Sequence, residues 1–123
     1  MWGSGLGCRT DGRPFEKLAL RFLKNTNQYD SLLWASEYNG HFPFDIIAKR
    51  DEQLTFFEVI TATHHGDKKK PGRLWLANVL NGKLVAFFIS PDGKRYVIKP
   101  VAKEHPSIHL TLEDVRSAKE FEA

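Results

Sequence analysis

Apolar residues recur at helical spacing near the start of the chain. The positions that share one helical face are Phe15, Leu18, Ala19, Phe22 and Leu23. Asp11 can cap such a helix, and Pro14 fits its first turn. We therefore predict an amphipathic helix from Asp11 to about Asn25.

The rest of the chain alternates between β-prone runs and turn signals. The predicted strands are 31–38, 44–49, 54–62, 83–90 and 94–99. The second and third form one hairpin, and the last two form another across the turn SPDG. A short helix over 73–80 ends at Asn81-Gly82, and Thr111 caps a terminal helix over 112–121.

This order predicts an α/β (α+β) fold with a mixed central β-sheet of about five strands flanked by helices. The 123 residues suffice for one core. Residues 1–10 are glycine-rich and lack periodicity, so we expect a flexible N-terminal arm followed by a single domain over 11–123. We expect Trp34 and Trp75 to lie in the core.

Charge and composition indicate which partners and which cellular location this domain has. Residues 1–99 carry 15 Lys and Arg against 10 Asp and Glu, or +5, whereas residues 100–123 carry 3 against 5, or −2. A basic body is compatible with a polyanionic partner such as nucleic acid. One cysteine, no apolar run of about 20 residues and no signal-peptide pattern predict a cytoplasmic protein without a membrane partner.

Two carboxylates fall where a core-building sequence would place Val or Ile. Glu58 shares a strand face with Phe56 and Ile60, and Asp45 precedes Ile46 on the neighbouring strand. A buried carboxylate is costly unless it is paired, hydrogen-bonded or neutralised, and adjacent carboxylates suit Mg²⁺. Glu16, beside the apolar stripe of the first helix, can converge with them. Ordinary structural roles for all three acids, in a small α/β domain without this chemistry, stay open.

Three segments, GRPFEKLALRFL, FPFDIIAKR and FFEVIT, resemble the PD-(D/E)xK nuclease superfamily. More narrowly, they are similar to archaeal Holliday-junction resolvases, over roughly residues 11–99. The resemblance implies a restriction-endonuclease-like fold and a homodimer that cuts DNA, including branched DNA. It also implies that Glu16, Asp45 and Glu58 are catalytic acids that bind Mg²⁺ or Mn²⁺.

The family's lysine position, two residues after the glutamate, is Ile60 here. Isoleucine can neither position a water nor stabilise charge on phosphorus. Three explanations remain open: a lysine from elsewhere, a mechanism that uses metal alone, or a domain that has lost catalysis and binds nucleic acid or a protein partner. Candidates for the substitute lysine are Lys17, Lys49 and the Lys68–Lys70 run, with Lys49 about 13 Å along its strand from Asp45.

A basic segment follows the third predicted strand. Its phosphate-binding candidates, together with one arginine of the first helix, are Arg13, Lys68, Lys69, Lys70 and Arg73. A solvated loop is the alternative interpretation. The adjacent His64 and His65 do not predict zinc, because neighbouring side chains in an extended segment point to opposite sides.

Overall fold

The computed structural model describes residues 13–39, 41–61, 64–66, 72–101 and 107–121. Its helices are α1 (Arg13–Thr26), α2 (Ala35–Tyr38), α3 (Arg73–Val79) and α4 (Leu112–Arg116). Its strands are β1 (Ser31–Trp34), β2 (Ile46–Arg50), β3 (Gln53–Ile60), β4 (His64–Gly66), β5 (Gly82–Ile89), β6 (Arg95–Pro100), β7 (Ser107–His109) and β8 (Lys119–Glu120). The predicted arm over residues 1–10 lies outside the described residues.

A six-stranded sheet in the order β1-β2-β3-β5-β6-β8 forms the centre of the domain. β3 and β5 pair in parallel, and the other neighbours pair antiparallel. The predicted mixed sheet with flanking helices is therefore confirmed, with one strand more than the expected five or so. Strands β4 and β7 form a separate two-stranded sheet that the sequence pattern did not predict.

Two predicted elements have different ends in the structure. β1 stops at Trp34 and the chain turns into α2, because the backbone N–H of Ser36 bonds to the carbonyl of Asp45 and the Ser36 hydroxyl bonds to Glu16. α4 begins at the predicted cap, Thr111, in a capping box with Asp114, but ends at Arg116. The residues after it pair with β6 as β8 instead, so sheet pairing overrides local helix propensity there.

The sheet separates two apolar layers. On the α1 face the buried residues are Ala19, Leu23, Ile46, Ala48, Phe57, Phe87 and Ile89. On the α3 face they are Phe44, Phe56, Ile60, Ala77, Leu84, Ala86, Phe88 and Val101. Residues of β2, β3 and β5 enter the two layers alternately, as strand geometry requires. Burial on both faces explains why these strands are nearly continuous apolar runs.

Specific residues permit the tight connections. Asn27 follows α1 with φ 57°, and Asp51 opens the β2–β3 turn with φ 55°, both in the left-handed region that Asn and Asp tolerate. Gly82 begins β5 against the Phe56 ring, where a Cβ atom would come within 2.4 Å of Cε2. Trp34 is partly buried beside the α1 layer, but the expected core position of Trp75 is wrong, since 66% of its surface is exposed.

Candidate functional site

Glu58 lies in the interior, in an ion pair with Arg73. Its strand neighbours on the same face, Phe56 and Ile60, belong to the α3 layer, so β3 directs Glu58 towards α3. Arg73 is the first residue of α3, one helical turn before the buried Ala77, and its guanidinium contacts the Glu58 carboxylate. Only 4% of Glu58 and 2% of Arg73 are exposed. The cation that a buried carboxylate needs is therefore supplied by the chain itself.

Arg73 thus differs from its predicted role. We expected it on an exposed basic segment, gripping phosphates, but its burial and its contact with Glu58 remove it from the surface. The sequence signal that could have found this is the spacing of Arg73 and Ala77, which share a helix face towards the sheet. Lys68, Lys69 and Lys70, the other members of that segment, lie outside the described residues.

Asp45 lies beside Glu58. Asp45 directly precedes β2, and its backbone N–H donates to the carbonyl oxygen of Phe57, the neighbour of Glu58 on β3, at 3.1 Å. The Asp45 carboxylate accepts a hydrogen bond from the backbone N–H of Val59 at 2.8 Å. With 5% of its surface exposed, Asp45 is as buried as Glu58. The two predicted acids on the strands are therefore neighbours, and both have protein partners.

Glu16 has partners of its own on the α1 side of the sheet. Its Oε1 accepts hydrogen bonds from Nε1 of Trp34 at 2.8 Å and from Oγ of Ser36 at 2.5 Å. These donors lie at the junction of β1 and α2, so Glu16 ties α1 to the edge of the sheet. This is a structural role that requires no metal.

No lysine among the described residues takes the place of Ile60. Ile60 itself is 5% exposed and belongs to the α3 layer. Lys17 is exposed on α1, where it borders a hollow with the Pro91–Gly93 turn, and Lys49 is exposed near the end of β2. Arg73 is the cation that the structure brings to Glu58, and a guanidinium stays protonated in proteins, so it cannot act as a base.

The donor chemistry of Asp45 and Glu58 suits Mg²⁺ or Mn²⁺, but the observed arrangement does not. Within the part of the chain that the structure describes, no group of three or more His, Cys, Asp or Glu side chains could hold a metal ion. Arg73 fills the position on Glu58 that a cation would take. The described residues therefore do not fit a metal centre as they are arranged.

The exposed cations of α1 form a second feature, of which the sequence pattern singled out only two members. The basic residues of this helix are Arg13, Lys17, Arg21 and Lys24. All four are exposed, and their spacing of four, four and three residues places them in one stripe on the helix, the α1 stripe. The signal was present in the sequence, since only Glu16 on this helix is acidic, and Glu16 is turned towards Trp34.

Comparisons with known proteins leave the family open. The chain matches no protein-family model and no curated protein sequence. Of the helices described, none is both long and apolar enough to cross a membrane.

Proposed function

We propose that this chain is a nucleic-acid-binding domain with a nuclease-like arrangement of acids that does not cut its partner. The Glu58–Arg73 ion pair is the observation that carries this proposal. A carboxylate that activates a metal must be reachable by water and by a substrate phosphate. Glu58 is instead neutralised from within, beside a buried Ile60 where the resembled family has its lysine.

The α1 stripe supports nucleic acid as the partner. Arg13–Lys17 and Lys17–Arg21 are like-charge pairs four residues apart, each of which costs a helix about 0.2–0.5 kcal/mol. Such an arrangement opposes folding but attracts a polyanion, which releases counterions when its phosphates are neutralised. The net charge of +5 over residues 1–99 also attracts a polyanion.

A second candidate function is a metal-dependent DNA endonuclease, favoured by the bonds of Asp45 to Phe57 and Val59, the residues on either side of Glu58. It requires Arg73 to leave Glu58 so that Mg²⁺ or Mn²⁺ can bind. Branched DNA as its substrate, a homodimer and a cytoplasmic location stay predictions that follow from the resemblance and from composition.

One set of measurements tests both functions. Binding should be measured by fluorescence anisotropy with labelled single-stranded, duplex and four-way-junction DNA. The logarithm of the binding constant should fall linearly with the logarithm of the salt concentration. Lys17→Glu with Lys24→Glu should weaken binding and flatten the salt dependence. No binding to any of these DNAs would overturn the proposal.

Cleavage of the same DNAs in Mg²⁺ or Mn²⁺ separates the two candidates. We expect no cleavage by the unaltered chain. Cutting that disappears in Asp45→Asn would establish the endonuclease and would mean that the Glu58–Arg73 pair opens.

A further inference from the structure

The α1 face of the sheet is only partly covered. α1 packs over the β1–β3 side of the sheet, and its Phe22 reaches Phe87 of β5 and Tyr96 of β6, but the part of β5 and β6 that carries Lys83, Val85 and Ile98 lies beyond it. On this uncovered part Thr55 lies beside Lys83 in the register of β3 and β5, and Val85 and Ile98 follow on the same face. Ile98 is 40% exposed. The opposite face has α3 and its layer over these strands.

Three adjoining hollows run along this side of α1, and we call them together the trough. The first borders Lys17 and Arg21; the second borders Arg21 and Lys119; the third, of about 700 Å³, borders Lys119 and Lys83. Neighbouring hollows share lining residues, so each lies directly beside the next. We define the trough by Lys17, Arg21, Tyr29, Lys83, Tyr96 and Lys119.

The cations of the trough are directed to solvent. Lys17, Arg21, Lys83 and Lys119 are exposed, and none of them makes a salt bridge with another described residue. Three acids also border the hollows. Asp114 pairs with Lys99 at 2.7 Å, Asp92 accepts a hydrogen bond from the Ser90 hydroxyl at 2.6 Å, and the exposed Glu120 lines the second hollow. The positive charge available to an anion is therefore greatest at the third hollow, where Lys83 and Lys119 lie beside the Lys99–Asp114 pair.

Aromatic rings form the wall of the largest hollow. Tyr29 and Tyr96 are partly buried and line it from opposite elements, the loop after α1 and strand β6. Tyr29 is held edge-on to Phe57 with ring centres 6.2 Å apart, and Tyr96 packs on Phe22 at 4.6 Å. Burial raises the pKa of the Tyr29 phenol, although Arg50 opposes the shift, so the ring is uncharged at neutral pH. Rings fixed in this way can accept a flat partner at little entropic cost.

We propose that the trough binds single-stranded nucleic acid, with a base lodged between Tyr29 and Tyr96 and the phosphates along Lys83, Lys119 and Arg21. This inference rests on the proposed function and names its site and ligand class. A hollow of about 700 Å³ is within the usual range for ligand sites and admits a base. Only an unpaired strand can offer its base faces for stacking, whereas a duplex presents phosphates and base edges but keeps the base faces stacked inside.

The test uses a fluorescent oligo-dT of about 16 nucleotides, the upper end of single-strand site sizes, and a duplex of equal length as probes. The full chain should bind the single strand more tightly than the duplex. Tyr29→Ala should weaken single-strand binding about five- to 140-fold, the range for losing one stacked base. Tyr29→Phe, which keeps the ring, should bind as the unaltered chain does.

Charge reversals test the cationic wall. Lys83→Glu and Lys119→Glu should each weaken binding and lower the salt slope by about 0.7 for each phosphate that is no longer neutralised. Lys49→Glu is the matched control, because Lys49 is an exposed strand lysine that alternates with Ile46 and Ala48 onto the other face of the sheet. It should change binding little.

The outcomes distinguish this inference from the proposed function. The trough is supported if the chain binds the single strand more tightly than the duplex and this preference responds to the variants as expected. Tyr29→Ala and Lys83→Glu should abolish the preference, whereas Tyr29→Phe and Lys49→Glu should retain it. Salt-dependent binding of both probes that the trough variants leave unchanged overturns the trough and leaves the proposed function standing. If neither probe binds, the trough is overturned, and the proposed function is overturned with it only if the four-way junction does not bind either.

Discussion

The two faces of the sheet use their charged residues in opposite ways. On the α3 face Arg73 and Glu58 are buried among apolar side chains, and their charges pair with each other inside the protein. On the α1 face the cations stand along an incompletely covered groove and point to solvent. The difference teaches that residue type does not decide role: Arg73 and Arg21 are both helical arginines, but only the exposed one can reach a phosphate.

Glu16 on α1 and Glu58 on β3 show the same contrast between the two faces. Glu58 needs a full positive charge because it is almost completely desolvated, whereas Glu16, partly buried, is held by two neutral donors, Trp34 and Ser36. Both side chains resemble catalytic acids in the sequence. In the structure each joins elements of its own face of the sheet to one another.

The largest effect should come from breaking the buried ion pair. Arg73→Met leaves Glu58 desolvated without its cation, and we expect the free energy of unfolding to fall by about 3–5 kcal/mol in urea titrations. The double variant Glu58→Leu with Arg73→Met should recover most of this loss, because it removes both charges. A loss below about 1 kcal/mol in Arg73→Met would show that the pair is solvated, and the contrast between the faces would fail.

Overpacking between β3 and β5 should have the next largest effect. A methyl group at Gly82 would meet the ring of Phe56, which is buried and stacked on Phe44 with ring centres 4.3 Å apart. We expect Gly82→Ala to lower the free energy of unfolding by about 1–3 kcal/mol, measured by urea titration. Adding Phe56→Leu should then cost less than it does alone, since the two positions share the same space. Additive losses would contradict the contact.

Replacing Glu16 tests the hydrogen bonds that tie α1 to Trp34 and Ser36. Glu16→Ala leaves the Trp34 N–H and the Ser36 hydroxyl without their acceptor, so we expect a loss of about 1–2 kcal/mol and a change in tryptophan fluorescence. Glu16→Gln keeps a carbonyl oxygen and is the matched control. If the two variants lose equal stability, the negative charge of Glu16 matters rather than its hydrogen-bond acceptor. Glu16 would then act through its charge, as Glu58 does.

The smallest effect should come from the surface ion pair between Lys99 of β6 and Asp114 of α4. The side-chain hydrogen bond from Lys99, then the backbone N–H of Thr111, hold the pKa of Asp114 below its ordinary value of 3.8. A carboxylate with a lowered pKa in the folded state adds stability above 3.8, and this is lost as the pH falls through the folded-state pKa.

Because the pair is partly exposed, its contribution should be at most about 1 kcal/mol. Unfolding free energies measured against pH for the unaltered chain and for Asp114→Asn should therefore converge at acid pH. Curves that stay parallel at all pH values would contradict this cause.

Much of the fold was predictable because periodicity is a local signal. The C-terminal end of α1, the extent of α3, the β2–β3 hairpin and the mixed sheet follow from apolar spacing, from Asn and Gly at turns and from runs too apolar for an edge strand. β8 and the β4–β7 pair could not be found in this way, since short edge strands depend on a partner distant in sequence. Trp75 was misplaced because a single tryptophan does not reveal which side of a short helix faces the core.

By itself the sequence determined that Glu58 and Asp45 interrupt apolar strands and that their strands are neighbours, because alternation and hairpin register are fixed by local geometry. Only the tertiary structure decided what neutralises Glu58, since Arg73 reaches it across the packing of α3 on the sheet. It also decided that the α1 stripe borders an open trough. Electrostatic pairing depends on which surfaces meet: the spacing of Arg73 and Ala77 indicates a buried helix face, but not which carboxylate Arg73 meets there.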